Sequence, residues 1–458
     1  MSVRTSLIHK GHNHVMSSGS TNMANPQPSR VWSMPASGDV SHKADIASLS
    51  KQGGKPNYLD SFPVAMNSES IKRLETKLGG TPCIPYISDE TGVGLRASKK
   101  IAAESILFKE EPIISGQYSW GIIYGYEACH HCLKSLETPL EMLRRLTKDK
   151  SLMLPLPDQE PSVDPSSFEF CPGCKVAFCS KQCLNNAVDQ YHIAVCTNGD
   201  SDHPLTKLDE LWRNMHYPPE TTSLVFIVKI IGLVVVSGKI PEIFGEFYQT
   251  VEKSGNTHKV LQPEFIAQLD LLRDGLLQIF GHNSLVQQIL TRENVISLIA
   301  LIGMNGQGVG TSSFADYCKR LDNLLLTKDE RDDLDCRMEK LYDKIDEEAG
   351  IFTNVEGTGL YELQSKLNHS CQPNVQIVFG SSNDELSVVA LRDIEEGEEL
   401  CISYLSCCQL DSSRHSRRKF LLQNYLFECE CTKCQAQIND PDVTSDEDED
   451  SEEEMECS

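Results

Sequence analysis

Apolar positions along the chain fall into distinct regimes. From Cys83 to Tyr118, and again from Leu360 to Ile394, they come in short runs. Val375-Gln376-Ile377-Val378-Phe379 alternates as a half-buried strand does. Strands are expected at Ile84–Ile87, Arg96–Ser98, Ser105–Phe108, Val375–Phe379 and Leu386–Ile394. Residues 205–350 instead carry helical spacing, as in Leu205-Leu208-Leu211-Trp212, Phe265-Ile266-Leu269-Leu272 and Leu285-Ile289-Val295-Leu298-Ile299. The greasiest run, Leu224 to Val236, is interrupted by Lys229 and is shorter than the ~20 residues of a bilayer span, so it predicts a buried helix. Short strands around a helical block give an α+β class. Residues 1–80 are rich in Ser, Asn, Gly and Pro without sustained period, and are read as disordered.

Composition narrows this picture. A chain of 458 residues can bury a large core and holds more than one compact unit. Its net charge is -24, but the stretch 440–458 has eleven acids and no Lys or Arg, so the body is only moderately acidic and the tail is too charged to fold alone. Such a body gives no reason to expect a continuous nucleic-acid surface, which needs a concentrated Lys/Arg field; with Lys175 and Lys181 making only a thin patch, a nucleic-acid reader built on the cysteine-rich region is the weaker option. A basic protein is the easier partner. The 18 cysteines come without a secretory leader, which points to a reducing compartment, cytoplasmic and/or nuclear. The acid-poor start with Arg4, Lys10 and Arg30 shows no basic amphipathic helix, so a transit peptide is not favoured.

Cysteine spacing carries the first chemistry. Cys129-x2-Cys132, Cys171-x2-Cys174, Cys179-x3-Cys183 and His192-x3-Cys196 offer eight N/S ligands, the number two tetrahedral zinc ions need. The pattern resembles the MYND finger. That family's interleaving implies one site from Cys129, Cys132, Cys179 and Cys183 and another from Cys171, Cys174, His192 and Cys196, both closed and structural. The gap between Cys132 and Cys171 is longer than the family's and is read as a loop bulging from the finger. Downstream, Cys429-x-Cys431-x2-Cys434 is one ligand short of a tetrahedron, and Cys371 is the natural fourth. Cys83, Cys318, Cys336, Cys401, Cys407, Cys408 and Cys457 remain unassigned.

Three further motifs occur in a set order: Gly92-Val93-Gly94, then Asn368-His369-Ser370-Cys371, then Glu398-Glu399-Leu400-Cys401-Ile402-Ser403-Tyr404. Together they resemble the SET domain of protein lysine methyltransferases, and the final cysteines resemble its post-SET module. The resemblance covers residues 83–435 and implies S-adenosylmethionine as cofactor, held by Gly92, Gly94, Asn305, Asn368, His369, Tyr404 and Phe427. Tyr404 would be the catalytic residue, orienting rather than abstracting, and Phe427 would wall the lysine channel. Three structural zinc ions are expected. The glycine-rich stretch Gly303–Ser313 is read as a loop between two helices; no Gly-Lys-Ser/Thr follows, which excludes a P-loop.

The implied organisation is a disordered segment at 1–80, the first SET part at 83–128, the MYND finger at 129–196 and a helical insertion at 200–350. The SET core at 351–405, post-SET at 406–435 and an acidic disordered tail at 436–458 complete it. An acidic run stands where other family members carry a large C-terminal helical domain, which implies a more open substrate cleft. The expected protein is a monomeric lysine methyltransferase acting on a histone or other basic protein. The competing reading is a silent scaffold whose finger binds proline-rich peptides; retention of Asn368, His369 and Tyr404 together favours the enzyme.

Overall fold

Residues 68–88, 91–161, 163–215, 223–247, 263–349, 353–380 and 382–441 are described by a computed structural model. The start of the chain up to residue 67, the acidic run from 442 and Cys457 lie outside them. Strands β1 (Cys83–Ser88) and β2 (Gly92–Ala97) form a hairpin with Cys83 opposite Ala97. Strands β3 (Ile106–Glu110) and β4 (Ile114–Gln117) follow, then the two-residue strands β5 (Glu169–Phe170) and β6 (Ala177–Phe178) in the cysteine-rich region. After the helical block come β7 (Gly306–Thr311), β8 (Val355–Leu360), β9 (Asn368–His369), β10 (Val375–Val378), β11 (Leu386–Ala390) and β12 (Cys401–Ile402). The sheet orders β10-β11-β3 and β4-β8-β7 tie the first strands to partners more than 180 residues later, so the intervening chain is an insertion. These pairings are antiparallel; β9 and β12 pair in parallel.

The apolar pattern sorts into separate cores. One lies within the strands and includes Leu95, Leu107, Leu367, Val388 and Leu400. The largest joins Cys129, Phe178 and Tyr191 of the finger to Trp212, Ile231, Leu272 and Leu298 of the helical block. The Leu224–Ser237 helix is central to it, and Gly232 is where it meets Tyr191: a Cβ there would lie 2.8 Å from the Tyr191 carbonyl oxygen. Lys229, the interruption in that greasy run, is 1% exposed. Its ammonium donates to Ser115 O at 2.9 Å and to His130 O, and lies 5.0 Å from the Tyr191 ring centroid. Burial pushes its pKa down to about 8. No helix among the described residues is long and apolar enough to cross a membrane.

Three expectations need correction. The segment read as disordered to residue 80 ends in a helix, Ser68–Lys77 (α1), whose Leu74 is fully buried in the strand core. The Gly303–Ser313 loop is instead the end of the Arg292–Asn305 helix, the strand β7 and the start of the next helix. Strand β7 pairs with β8 at six positions from Gly306–Leu360 to Thr311–Val355; the ladder overrides the poor strand propensity of glycine, and Val309 and Thr311 supply the buried face. The helical insertion therefore does not run unbroken to 350. Finally, the excess between Cys132 and Cys171 is not a free bulge. Its Pro139–Leu146 helix packs Met142 and Leu143 with Leu154 onto Phe314, Tyr317 and Leu341, from the two helices Ser313–Asp322 and Lys328–Ala349. A capping box, Thr138 with Glu141, starts that helix.

Candidate active site and metal centres

The two polar motifs lie side by side because β9 and β12 pair, with Asn368 opposite Cys401 and His369 opposite Ile402. Buried Asn374 locks the pair: its Oδ1 accepts from Cys401 N at 2.8 Å and its Nδ2 donates to Glu399 O at 2.7 Å. Tyr404, two residues past β12, donates its backbone N–H to His369 Nδ1 at 2.9 Å. An accepting Nδ1 puts the neutral ring's proton on Nε2, which lies 3.4 Å from Cys371 Sγ. The His369 ring therefore bridges Tyr404 and a cysteine of the third cluster, and burial keeps it neutral, its pKa down to about 4. The Tyr404 hydroxyl donates to Leu367 O at 2.9 Å. Its ring centroid lies 4.9 Å from Tyr425 and 6.3 Å from Phe427, and His369 lies 5.9 Å from Phe427. Burial, with Tyr425 and Cys401 nearby, pushes the Tyr404 hydroxyl well above the usual phenol range.

The glycine turn reaches this site through β2. Gly92 has φ +76°, a left-handed conformation that favours glycine. At Gly94 a Cβ would lie 2.5 Å from Tyr86, so the bare backbone makes room for that ring. Burial and the neighbouring Glu399 carboxylate push the Tyr86 hydroxyl up to about 12, and Asn368 Nδ2 donates to Glu399 Oε1 at 2.9 Å. Backbone bonds Leu400 N to Leu95 O and Ala97 N to Glu398 O seat β2 beside the Glu-Glu-Leu segment. Asn305 ends its helix with its amide donating to Leu301 O at 2.9 Å, and two residues later Gln307 accepts from Gln364 at 3.1 Å.

Cysteine and histidine side chains gather into three quartets: Cys129, Cys132, Cys179 and Cys183; Cys171, Cys174, His192 and Cys196; Cys371, Cys429, Cys431 and Cys434. Within each, the ligand atoms all lie within 4.8 Å of one another. A tetrahedral zinc with Zn–S near 2.3 Å has S···S edges of roughly 3.8 Å. Cys132–Cys179 at 3.7 Å, Cys171–Cys196 at 3.6 Å, Cys371–Cys429 at 3.8 Å and Cys371–Cys434 at 3.7 Å fit that edge. Arg417 adds an independent sign. It is 1% exposed, and its guanidinium faces Ser412 O, Gln437 Oε1 and Cys434 Sγ, the last at 3.6 Å, with no carboxylate among these acceptors. A buried cation needs an anion, and the thiolates of a metal-loaded third quartet supply one.

Residues 286–405 match the SET domain family. Protein-lysine N-trimethyltransferase SMYD5 of Gallus gallus is 44% identical over 375 residues, covering 80% of this chain and 89% of that protein. The Homo sapiens SMYD5 is 41% identical over 372 residues, covering 80% and 88%. This chain belongs to the SMYD5 branch of the SET and MYND domain family. Histone-lysine N-methyltransferase SMYD3 of Mus musculus is 48% identical over 92 residues, 20% of each chain. A match to the crystal structure of the SET domain of LSMT bound to lysine and AdoHcy covers 79% of this chain and 57% of that one, at 11% identity and a TM-score of 0.30.

In this SMYD5 relative, Asn368, His369, Tyr404 and Phe427 come together directly, and Gly92 and Gly94 adjoin them through Tyr86 and Glu399. Asn305 stands beside the same neighbourhood, two residues before the Gln307–Gln364 contact. Two residues stand in the site that the motif reading passed over. Tyr425, whose burial pushes it up to about 12, is the ring nearest Tyr404, and its place two residues before Phe427 was the available signal. Tyr86 had no signal beyond its strand, because only the hairpin register, Tyr86 opposite Gly94, brings it over the turn.

Proposed function

We propose that this chain is an S-adenosylmethionine-dependent protein-lysine N-methyltransferase. The observation that carries the reading is the convergence of Tyr404, Tyr425, Phe427 and His369 beside Asn368 at the β9–β12 pairing. Its SMYD5 relatives, named as protein-lysine N-trimethyltransferases, support a trimethylated lysine of a protein as product. Asn368, with Tyr86 and Glu399 beside it, is assigned to the cofactor's polar ends; Phe427 and Tyr425 form an apolar wall beside Tyr404. The three quartets are assigned to structural zinc, the first two as a MYND finger and the third as a post-SET module.

S-adenosylmethionine, when bound, supplies an electrophilic methyl for in-line displacement by a neutral amine. The chain's own residues make that amine available and aligned. A lysine entering between aromatic rings loses water, and desolvation disfavours its ammonium. Tyr404 stays protonated, so it orients and does not abstract, its hydroxyl fixed by Leu367 O and its backbone by His369. Alignment of this kind contributes roughly 7–11 kcal/mol in well-oriented systems and is the main effect assigned here. A substrate on a histone or other basic protein suits the acidic body.

Calorimetric titration of zinc-loaded protein with S-adenosylmethionine, wild type beside Asn368→Ala, tests the reading. Binding by wild type that falls at least tenfold in the variant, together with label transfer to lysine in basic proteins, is the expected result. A folded, zinc-loaded wild type that binds neither S-adenosylmethionine nor its demethylated product would overturn it.

A further inference from the structure

We infer that Arg73, on a helix that precedes every SET motif, is a positioning residue for the cofactor segment. Resting on the methyltransferase reading above, the inference gives α1 a part in the reaction that no motif records.

Helix α1 is fixed to the strand core by its Leu74 and by Leu78 just past its end, at 0% and 2% exposure. Its polar side then grips two buried carboxylates. Arg73 Nε donates to Glu362 Oε1 at 2.7 Å, and Arg73 Nη2 donates to Glu246 Oε2. Ser70 Oγ donates to Glu246 Oε1 at 2.7 Å, and Lys77 Nζ to Glu362 Oε2. Both carboxylate side chains are only 5% exposed, so Arg73 joins two acids that water reaches poorly.

Glu362 opens the stretch that runs into Asn368. Lys366, at 5% exposure, donates to Glu246 O at 3.0 Å and lies 5.3 Å from the Phe247 ring centroid. From β3, Glu110 accepts from Leu363 N at 2.8 Å and Gln364 N at 2.9 Å. The segment 362–366 is thus held by α1, by the Glu242–Glu246 turn within the helical insertion and by β3. The next residue, Leu367, accepts the Tyr404 hydroxyl, and Asn368 and His369 follow as a two-residue strand. So short a strand has little pairing of its own to fix its register, and its entry point governs where both side chains stand.

Removing the Arg73 charge leaves Glu246 and Glu362 underpaired in a poorly hydrated place, and movement of 362–366 towards water relieves that. The displacement passes Leu367, which accepts the Tyr404 hydroxyl, and goes on to Asn368. The effect therefore falls on cofactor affinity and on turnover of the loaded enzyme together.

The test uses the full zinc-loaded chain with Arg73→Gln, Arg73→Lys and, as a control on the exposed side of α1, Lys72→Gln. Cofactor titration, the KM and kcat for methyl transfer, and amide hydrogen exchange at 363–370 are read together. Arg73→Gln is expected to raise the Kd and KM for S-adenosylmethionine roughly tenfold and to lower kcat about severalfold. Exchange at 363–370 should quicken while β7 and β8 stay protected. Arg73→Lys, which keeps charge but not the two-acid fork, should lie between, and Lys72→Gln should match wild type. Unchanged exchange and affinity in Arg73→Gln would overturn the proposal, as would faster exchange spread evenly over the strand core. If Arg73→Gln does not fold, Arg73→Lys decides by the same readings. A wild type without cofactor affinity sinks the methyltransferase reading, whereas exchange at 363–370 still decides the clamp.

Discussion

Tyr404 has both of its hydrogen-bond donors occupied before any ligand arrives, the hydroxyl by Leu367 O and the N–H by His369. Its hydroxyl is held above the ordinary phenol range, so the neutral form persists through the pH at which lysine begins to lose its proton. The rate should therefore rise with pH and show no falling limb from a tyrosinate below about pH 10. Tyr404→Phe should keep that shape while lowering kcat on the order of 10²-fold, with cofactor affinity changed less than about threefold. A falling limb in wild type that vanishes in the variant would instead make Tyr404 a titrating acid. Much at this scale was legible, because Asn368, Tyr404 and Phe427 belong to short motifs whose chemistry is local. The direction of the His369 ring was not. Residue type and spacing name a polar side chain, but only the fold shows the ring turned to Tyr404 N and Cys371 Sγ rather than left open to a ligand.

Among elements, the Leu224–Ser237 helix is the one on which finger and helical block both depend. Gly232 sits mid-helix, where alanine normally stabilises by about 1 kcal/mol. Here a Cβ would meet Tyr191 O at 2.8 Å, Tyr191 Cβ at 3.0 Å and Val195 Cγ1 at 3.0 Å, and backbone atoms yield little. Gly232→Ala is expected to destabilise by roughly 1–3 kcal/mol, read as a lower denaturant midpoint with unchanged slope; a gain in stability would show that the two helices separate easily. The same scale shows where periodicity runs out. The greasy run from Leu224 was legible because its content is its signal, whereas β7 was hidden since glycines at 306, 308 and 310 erase alternation. Helix α1 was hidden for another reason: its partners Glu246 and Glu362 lie 173 and 289 residues from Arg73. Nothing near Arg73 in sequence announces them.

Across the whole molecule, the first two quartets share the largest core while the third lies in a small one of its own, and this predicts different failures. The first quartet contributes Cys129 to the largest core, beside Phe178, Tyr191, Ile231 and Trp212. The third belongs to a small cluster of Cys371, Leu405, Leu421, Cys429 and Cys434, next to the aromatic wall at Tyr404 and Phe427. A structural zinc contributes on the order of 10–16 kcal/mol of apparent binding free energy, comparable to or larger than the net stability of a domain. Cys179→Ser should therefore abolish the main cooperative thermal transition, because the finger and the helical block share one apolar interior. Cys431→Ser should lose one zinc equivalent, keep the main transition within about 3 °C and weaken S-adenosylmethionine binding more than tenfold. It releases the strap carrying Tyr425 and Phe427 and, through Cys371, one support of the His369 ring. Scanning calorimetry, zinc counts by mass spectrometry and cofactor titration on the two variants check this together. If Cys431→Ser lowered the main transition as much as Cys179→Ser, the third centre would be part of the common core, and the separation between a metal that holds the fold and a metal that holds the site would fail.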